Sequence, residues 1–69
     1  MEEFKLETEY IELNSLLKVM GLFGTGGMAN VAITEGLVKV DGKTELRKRC
    51  KIRSGQVVEY EDRKIAVIR

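Results

Sequence analysis

Apolar residues recur with the period of an α-helix in the first third of the chain. Four of them stand at positions i, i+3, i+4 and i+7, which places them on one face of a short helix. These four are Leu13, Leu16, Leu17 and Met20. Gly21 then ends the helix, since glycine readily adopts the left-handed backbone found at helix C-termini. A helix this short is marginal in isolation, so we expect it to pack against other elements.

A glycine-rich turn at residues 24–27 opens a second predicted helix. Thr25 is a suitable N-cap, because its hydroxyl can accept a hydrogen bond from an unpaired backbone N–H group. Gly36 ends this helix, and its wide apolar face is expected to pack closely on the first helix. That face comprises Met28, Val31, Ala32 and Glu35, with Ala29 and Ile33 adjoining.

The remaining apolar residues alternate with polar ones, which is the pattern of β-strands. Near the N-terminus, Phe4 and Leu6 give a weak signal of this kind. Asp41-Gly42 is a favoured two-residue hairpin turn, because both positions tolerate positive φ. The other predicted strands are 37–40, 44–46, 57–60 and 65–68, the last two joined around residues 61–63. Two short helices packed against a small antiparallel or mixed sheet define an α+β domain.

The composition fits one globular domain that spans residues 1–69. Apolar residues make up 43% of the chain and charged residues 33%, and so small a core leaves no room for a large internal cavity. Any function is therefore expected on an exposed face. The absence of histidine excludes His-based catalytic dyads and His/Cys zinc sites, and the single cysteine excludes an intramolecular disulfide. With no secretory signal or membrane span, we expect a cytoplasmic, non-catalytic domain without metal or cofactor.

The formal charge of +1 conceals a strong separation of charge along the chain. Residues 1–12 contain five glutamates and one lysine, whereas residues 43–53 contain six cations and one acid, Glu45. The six cations, called the basic block below, are Lys43, Arg47, Lys48, Arg49, Lys51 and Arg53. We expect an exposed loop here, held to the core by Ile52 and Cys50. Because local acids are nearly absent, mutual repulsion favours a polyanionic partner lying across the block.

Structured RNA is the polyanion that the residues favour. The second helix exposes only Asn30 and Thr34 as polar side chains, so it lacks the base-reading residues of a DNA major-groove helix. The four aromatic residues are scattered along the sequence, which argues against a sheet that stacks single-stranded bases. The interpretation that remains is recognition of folded RNA through its backbone and shape. The alternative is a protein-interaction module whose basic face docks an acidic protein partner.

The start of the second helix is a further candidate phosphate site. Unpaired backbone N–H groups and the helix dipole favour an anion at such a position. The candidate contacts are Lys18, Thr25, Gly26, Gly27 and Asn30. A flexible connector between the two helices explains the same glycines equally well, so both interpretations stay open.

Cys50 also has two interpretations. Its neighbours Arg49 and Lys51 would favour a reactive thiolate. Without a histidine to act as base, however, a catalytic thiol has little support. We therefore expect Cys50 to be a small packing residue.

The sequence at residues 36–43, Gly-Leu-Val-Lys-Val-Asp-Gly-Lys, and at residues 54–58, Ser-Gly-Gln-Val-Val, resembles the alpha-L RNA-binding motif. This motif is known from the ribosomal small-subunit protein S-four, pseudouridine synthases and tyrosyl-tRNA synthetases. The resemblance spans about residues 10–68, with residues 1–9 as an N-terminal strand or arm. The matching residues are Leu13, Leu16, Leu17, Gly21, Leu22, Ala29, Ile33, Gly36, Val38, Val40, Asp41, Gly42, Lys43, Gly55 and Val58. Residues 25–29 and 47–51 also resemble the short stand-alone bacterial members of the YaaA/YbcJ type.

The resemblance implies a cytoplasmic, non-catalytic protein that binds ribosomal or other structured RNA. We expect a monomer with no membrane contact and no small-molecule substrate. In the wider family the second helix often opens with Ser and Arg residues that contact RNA, whereas Gly26, Gly27 and Asn30 stand here. This departure moves the expected RNA contact to Lys43 and the rest of the basic block.

Overall fold

Seven strands and two helices make up the chain in the computed structural model, which describes residues 1–69. The first part contains β1 (Glu2–Lys5), β2 (Ile11–Glu12), α1 (Leu13–Val19) and α2 (Gly26–Thr34). The second part contains β3 (Val38–Val40), β4 (Lys43–Thr44), β5 (Lys51–Ile52), β6 (Val57–Tyr60) and β7 (Arg63–Ile68). Helices packed with a mixed sheet confirm the predicted α+β class.

Five strands form one mixed sheet in the order β1-β7-β6-β3-β4. β1 runs parallel to β7, and the other neighbouring strands are antiparallel. The register aligns Val40 with Val58 and Val58 with Ile65, so three adjacent strands present apolar side chains on one face. All three residues are buried, and this face forms the sheet side of the core.

One cluster of buried apolar residues joins the helices to the sheet, and it contains no buried polar or charged residue. α1 contributes Leu13, Leu16 and Leu17 to this cluster, as their spacing predicted. Thr25 caps α2, since its hydroxyl accepts a hydrogen bond from the Met28 backbone N–H at 3.2 Å. The predicted apolar face of the first helix and the predicted cap of the second are therefore both confirmed.

The buried face of α2 differs from the predicted one. Ala29, Ala32 and Ile33 are buried, whereas Met28 and Val31 are each 56% exposed. Small alanine side chains allow a closer helix approach than methionine or valine, so the helix turns the alanines inward and the larger side chains outward. A shallow apolar groove of about 320 Å³ results, lined by Phe23, Met28, Val31, Glu35, Leu37 and Tyr60.

Several strand boundaries also differ from the prediction: β1 covers Glu2–Lys5, β3 starts at Val38 instead of residue 37, and β4 ends at Thr44 instead of residue 46. Asp41-Gly42 alone forms the first turn, so β4 starts at Lys43 instead of at residue 44. Asp41 and Gly42 both have positive φ, 52° and 81°, as expected for this turn. Glu61-Asp62 alone forms the second turn, so β7 starts at Arg63, opposite Tyr60, instead of at residue 65.

Candidate nucleic-acid interface

A second, two-stranded sheet fixes the far end of the basic block, and the sequence did not predict it. β2 and β5 pair antiparallel, with Ile11 opposite Ile52 and Glu12 opposite Lys51. Ile52 is fully buried, which confirms its expected role in holding the basic segment to the core. The pairing brings the end of the acidic N-terminal stretch directly beside the cations.

Two backbone hydrogen bonds continue this pairing into the start of α1. The Leu13 N–H donates to the Cys50 carbonyl at 2.8 Å, and the Asn14 N–H donates to the Lys48 carbonyl at 3.0 Å. Both N–H groups belong to the first turn of a helix, where no intrahelical partner exists. The loop that carries the basic block therefore satisfies the beginning of α1, and this contact holds the loop in place.

The cations of the basic block are all exposed, and four of them line two adjoining surface depressions. Arg47, Arg49 and Lys51 surround an open cleft of about 410 Å³ together with Cys50. Arg47 and Lys51 also line a groove of about 560 Å³, which Lys43 joins from β4. The structure thus brings Lys43, Arg47, Arg49 and Lys51 to one continuous surface.

The other two cations extend this surface in different ways. Arg53 lies beside Lys51, and the two are grouped around the ring of Tyr10. The Lys51 ammonium is 5.0 Å from the ring centroid, and the Arg53 guanidinium carbon is 5.5 Å from it. Lys48 is exposed, and its backbone carbonyl receives the bond from Asn14. Tyr10 is a residue of the candidate interface that the sequence did not identify.

Two carboxylates pair with arginines of the basic block, so the expectation that local acids are nearly absent is wrong. Glu45 accepts hydrogen bonds from Arg47 Nε at 2.9 Å and Nη2 at 3.1 Å, and also from the Arg47 backbone N–H at 3.0 Å. These bonds lower the pKa of Glu45 to about 2. Glu12 accepts a bond from Arg49 Nε at 3.2 Å. Each arginine therefore keeps only part of its donor set free.

The rest of the acidic N-terminal stretch does not cover the basic block. Glu2 forms an ion pair with Arg63, which lies at the start of β7. Hydrogen bonding to Arg63 lowers the pKa of the Glu2 carboxyl from its ordinary value. No ion pair joins Glu3, Glu7 or Glu9 to any cation. Only the last acid of the stretch, Glu12, reaches the candidate interface.

Cys50 is half-buried in the wall of the cleft, where it packs against the core. Its Sγ lies 3.6 Å from Arg47 Nη2 and 3.6 Å from a Glu45 carboxylate oxygen. Burial and the Glu45 carboxylate raise the pKa of the Cys50 thiol, and the opposing effect of Arg47 is smaller. The geometry gives no activated thiolate and agrees with the packing interpretation.

The second group of candidate residues lies at the end of α1 and the start of α2. Thr25 acts as the cap, Gly26 and Gly27 are the first helical residues, and Lys18 is exposed in the last turn of α1. Asn30 alone connects with the basic block. Its side-chain oxygen accepts a bond from Asn14 Nδ2 at 2.9 Å. The backbone of Asn14 in turn bonds the Lys48 carbonyl.

The molecule offers little for other kinds of site. No group of three or more acidic, cysteine or histidine side chains is arranged to hold a metal ion. Neither helix has the length and apolar character that crossing a bilayer requires. The basic block lines a pair of charged surface depressions.

Comparison with known proteins agrees with this architecture. The family model of the S4 domain matches residues 4–68, which is nearly the whole chain. The match begins within β1 and includes both helices, the basic block and the terminal hairpin. The chain therefore belongs to the S4-domain family, as the resemblance to the alpha-L motif predicted.

Individual relatives support the same assignment. YbcJ of Escherichia coli K12 is 48% identical over 59 residues, which cover 86% of this chain and 84% of YbcJ. YbcJ of Shigella flexneri matches to the same extent. The solution structure of E. coli YbcJ has a TM-score of 0.76 at 44% identity, and the match covers all of this chain and 89% of YbcJ. That structure is described as containing an alpha-L motif involved in RNA binding.

A more distant structure shares the fold only. The 30S ribosomal protein S4e of Thermoplasma acidophilum has a TM-score of 0.62 and is 24% identical. The match covers 84% of this chain but only 31% of the ribosomal protein. The same arrangement of helices and strands thus occurs as one part of a larger protein.

Proposed function

We propose that this protein binds structured RNA, such as ribosomal RNA, through phosphate contacts made by the basic block. The residues assigned to the contact are Lys43, Arg47, Lys48, Arg49, Lys51 and Arg53. The observation that carries the proposal is the open cleft that three of these cations share. Membership of the S4-domain family and similarity to YbcJ support RNA as the ligand.

The chemistry of the cleft suits a phosphodiester backbone. Arginine can bind two phosphate oxygens through its planar fork of donors, and lysine adds a compact positive charge. Replacement of counterions by these side chains makes the binding dependent on salt. If all six cations met a phosphate, the log-log salt slope would be about −4 on single strands and about −5 on a duplex that behaves like B-DNA. The pairs with Glu45 and Glu12 should reduce this slope, because those carboxylates already occupy part of the donor set.

Residues at the start of α2 complete the proposed interface. Asn30 lies next to the loop of the basic block through the Asn14 contact, so an RNA strand on the block passes near this side chain. Thr25, Gly26 and Gly27 offer backbone donors in the same helix, and Lys18 adds charge at the end of α1. In this proposal the protein acts in the cytoplasm, as a monomer and without a catalytic group, cofactor or small-molecule substrate.

The test is charge reversal in the cleft with a matched control elsewhere. Arg47→Glu with Arg49→Glu should weaken binding to a fluorescently labelled RNA stem-loop by more than about tenfold at moderate salt. Lys5→Glu with Arg69→Glu changes the net charge equally at exposed positions outside the block, and it should have a much smaller effect. Circular dichroism checks that both variants are folded.

The outcomes separate the proposal from its alternative. Equal RNA affinity in the wild type and the cleft variant would refute the assignment of the site. A binding partner that the cleft variant loses, but that survives nuclease treatment of a pull-down, would favour an acidic protein instead of RNA. Equal losses in both variants would also refute the assignment, because they would show that net charge alone governs the affinity.

A further inference from the structure

Tyr10 occupies a defined position relative to two cations of the basic block. β2 and β5 pair Ile11 with Ile52 and Glu12 with Lys51, so the antiparallel direction brings Tyr10 and Arg53 across from each other just beyond the paired residues. Successive side chains of a strand alternate between faces, so Lys51 and Arg53 project on the same side. The Tyr10 ring centroid lies 5.0 Å from the Lys51 ammonium and 5.5 Å from the Arg53 guanidinium carbon.

The backbone around Tyr10 is itself fixed. The Thr8 hydroxyl donates to the Tyr10 carbonyl at 2.8 Å, and the pairing of β2 with β5 begins at the next residue. The ring is partly buried, so it is neither a free surface side chain nor part of the core. It therefore provides a fixed platform beneath two otherwise flexible cationic side chains.

Holding a cation by an aromatic ring differs from holding it by a carboxylate. Glu45 and Glu12 occupy N–H donors of Arg47 and Arg49 and reduce the local positive charge. The face of an aromatic ring attracts a cation through its quadrupole and carries no net charge. Lys51 and Arg53 make no ion pair, so their full charge stays available to a ligand.

We infer that Tyr10 is a positioning residue of the RNA interface, whose ring holds Lys51 and Arg53 side by side as a pre-formed phosphate clamp. This inference rests on the proposed function. It adds Tyr10 to the interface and distinguishes the cations held by a ring from those paired with a carboxylate. Lys51 and Arg53 present their full charge to phosphate, whereas Arg47 and Arg49 must exchange a carboxylate for it. Pre-ordering matters here because free lysine and arginine side chains lose considerable rotamer freedom when a ligand immobilises them.

The experiment compares substitutions of Tyr10 in two backgrounds. Tyr10→Leu removes the aromatic face but keeps an apolar side chain, and Tyr10→Phe keeps the face. In the wild-type background, Tyr10→Leu should weaken binding to an RNA stem-loop by about threefold to tenfold, because one or two cationic side chains must then be ordered on binding. Tyr10→Phe should stay within about twofold of the wild type, since the ring face is retained.

The second background carries Lys51→Gln and Arg53→Gln, which remove the cations that the ring holds. There, Tyr10→Leu should cause no further loss of affinity, because a residue that acts through two side chains has no effect once they are gone. NMR of the free protein supplies a readout independent of RNA. Ring-current shifts of the Lys51 and Arg53 side-chain protons should be present in the wild type and in Tyr10→Phe, and absent in Tyr10→Leu.

Each outcome decides a separate point. If Lys51→Gln with Arg53→Gln leaves RNA affinity unchanged, these two cations do not bind phosphate and the clamp is overturned, whereas the Arg47 and Arg49 charge reversal decides the proposed site as a whole. If that pair weakens binding but Tyr10→Leu does not, the site stands and the positioning role is overturned. If Tyr10→Leu weakens binding equally in both backgrounds, the ring contacts RNA directly, which also overturns the positioning role. An unfolded Tyr10→Leu variant would be recognised by circular dichroism, and Tyr10→Val then takes its place.

Discussion

The Glu45 carboxylate accepts three hydrogen bonds from Arg47, two from the guanidinium and one from the backbone N–H, at 2.9 to 3.1 Å. The two residues are only two positions apart, directly after β4. The carboxylate thereby orients the first arginine of the cleft. It also occupies donors that a phosphate would use, so one residue both organises the proposed site and competes with its ligand.

The pKa of Glu45 predicts how this contact responds to acid. The Arg47 contact lowers the pKa from an ordinary value of 4.5 to about 2, because it favours the charged form in the folded state. The contact therefore stabilises the protein fully above about pH 4.5, and that contribution is lost as the pH falls toward 2. Glu45→Gln removes the titrating group. The difference in unfolding free energy between wild type and Glu45→Gln should shrink over this range.

Urea denaturation at several pH values measures this difference. Glu61→Gln is the matched control, since Glu61 is exposed at the turn between β6 and β7 and forms no ion pair. The comparison of the two variants cancels the titration of all the other carboxyl groups. A constant difference between Glu45→Gln and wild type from pH 6 to about pH 2 would contradict the stabilising role of the contact.

Removing the same carboxylate should strengthen RNA binding. In Glu45→Gln, Arg47 no longer shares its donors with a charged partner, and one negative charge leaves the cleft. The salt slope should become steeper by up to about 0.7 to 0.9, which corresponds to one additional phosphate contact. Fluorescence anisotropy over a range of salt concentrations measures both quantities. Glu61→Gln makes the same change in net charge outside the cleft, and an equal gain by that control would show a non-specific charge effect.

Local signals explain which parts of the fold were predictable from the sequence. The apolar spacing of α1, the Thr25 cap and the Asp41-Gly42 turn depend on residues only a few positions apart, and the structure confirms all three. The inward face of α2 was not predictable by hydrophobicity alone. The buried face depends on which side chains allow α2 to approach its neighbours closely. Ala29 and Ala32 are therefore buried, and the larger Met28 and Val31 are exposed.

The candidate site was predictable in composition but not in organisation. The basic block is a contiguous feature of the sequence, so its cations could be named directly. The ribbon of β2 and β5 joins residues about forty positions apart through only two residues in each strand, and so short a pairing leaves no periodic pattern. The roles of Tyr10 and Glu12 follow from that pairing alone. An acid at position 12 and an aromatic residue at position 10 carry no signal of their own.

The hydrogen bond between Asn14 and Asn30 should couple the two helices energetically. It joins part-buried amides 16 positions apart in sequence, at 2.9 Å. Asn30→Ala leaves the Asn14 amide without its partner, so we expect a loss of about 1 kcal/mol in unfolding free energy. A double-mutant cycle with Asn14→Ala should give a coupling energy of similar size, because the two residues share one contact.

Urea denaturation of the two single variants and the double variant completes this cycle. Thr34→Ala serves as a control in the same helix, because the Thr34 hydroxyl bonds only carbonyls of its own helix, at exposed positions. Strictly additive losses for Asn14→Ala and Asn30→Ala would mean that the bond contributes nothing to the packing of α1 on α2.

Gly36 should tolerate a side chain poorly, for reasons of backbone conformation and not of space. Its φ is +80°, a left-handed value that costs an L-residue about 1 to 2 kcal/mol. A Cβ atom there would lie 3.7 Å from Thr44 Cγ2, which is an ordinary van der Waals contact. Gly36→Ala should therefore lower the unfolding free energy by about that strain.

Gly27→Ala is the matched control, since Gly27 is helical. Its unfolding free energy should not fall and should rise by up to about 1 kcal/mol. Urea denaturation measures both variants, and equal destabilisation of the two would contradict the role assigned to the positive φ of Gly36.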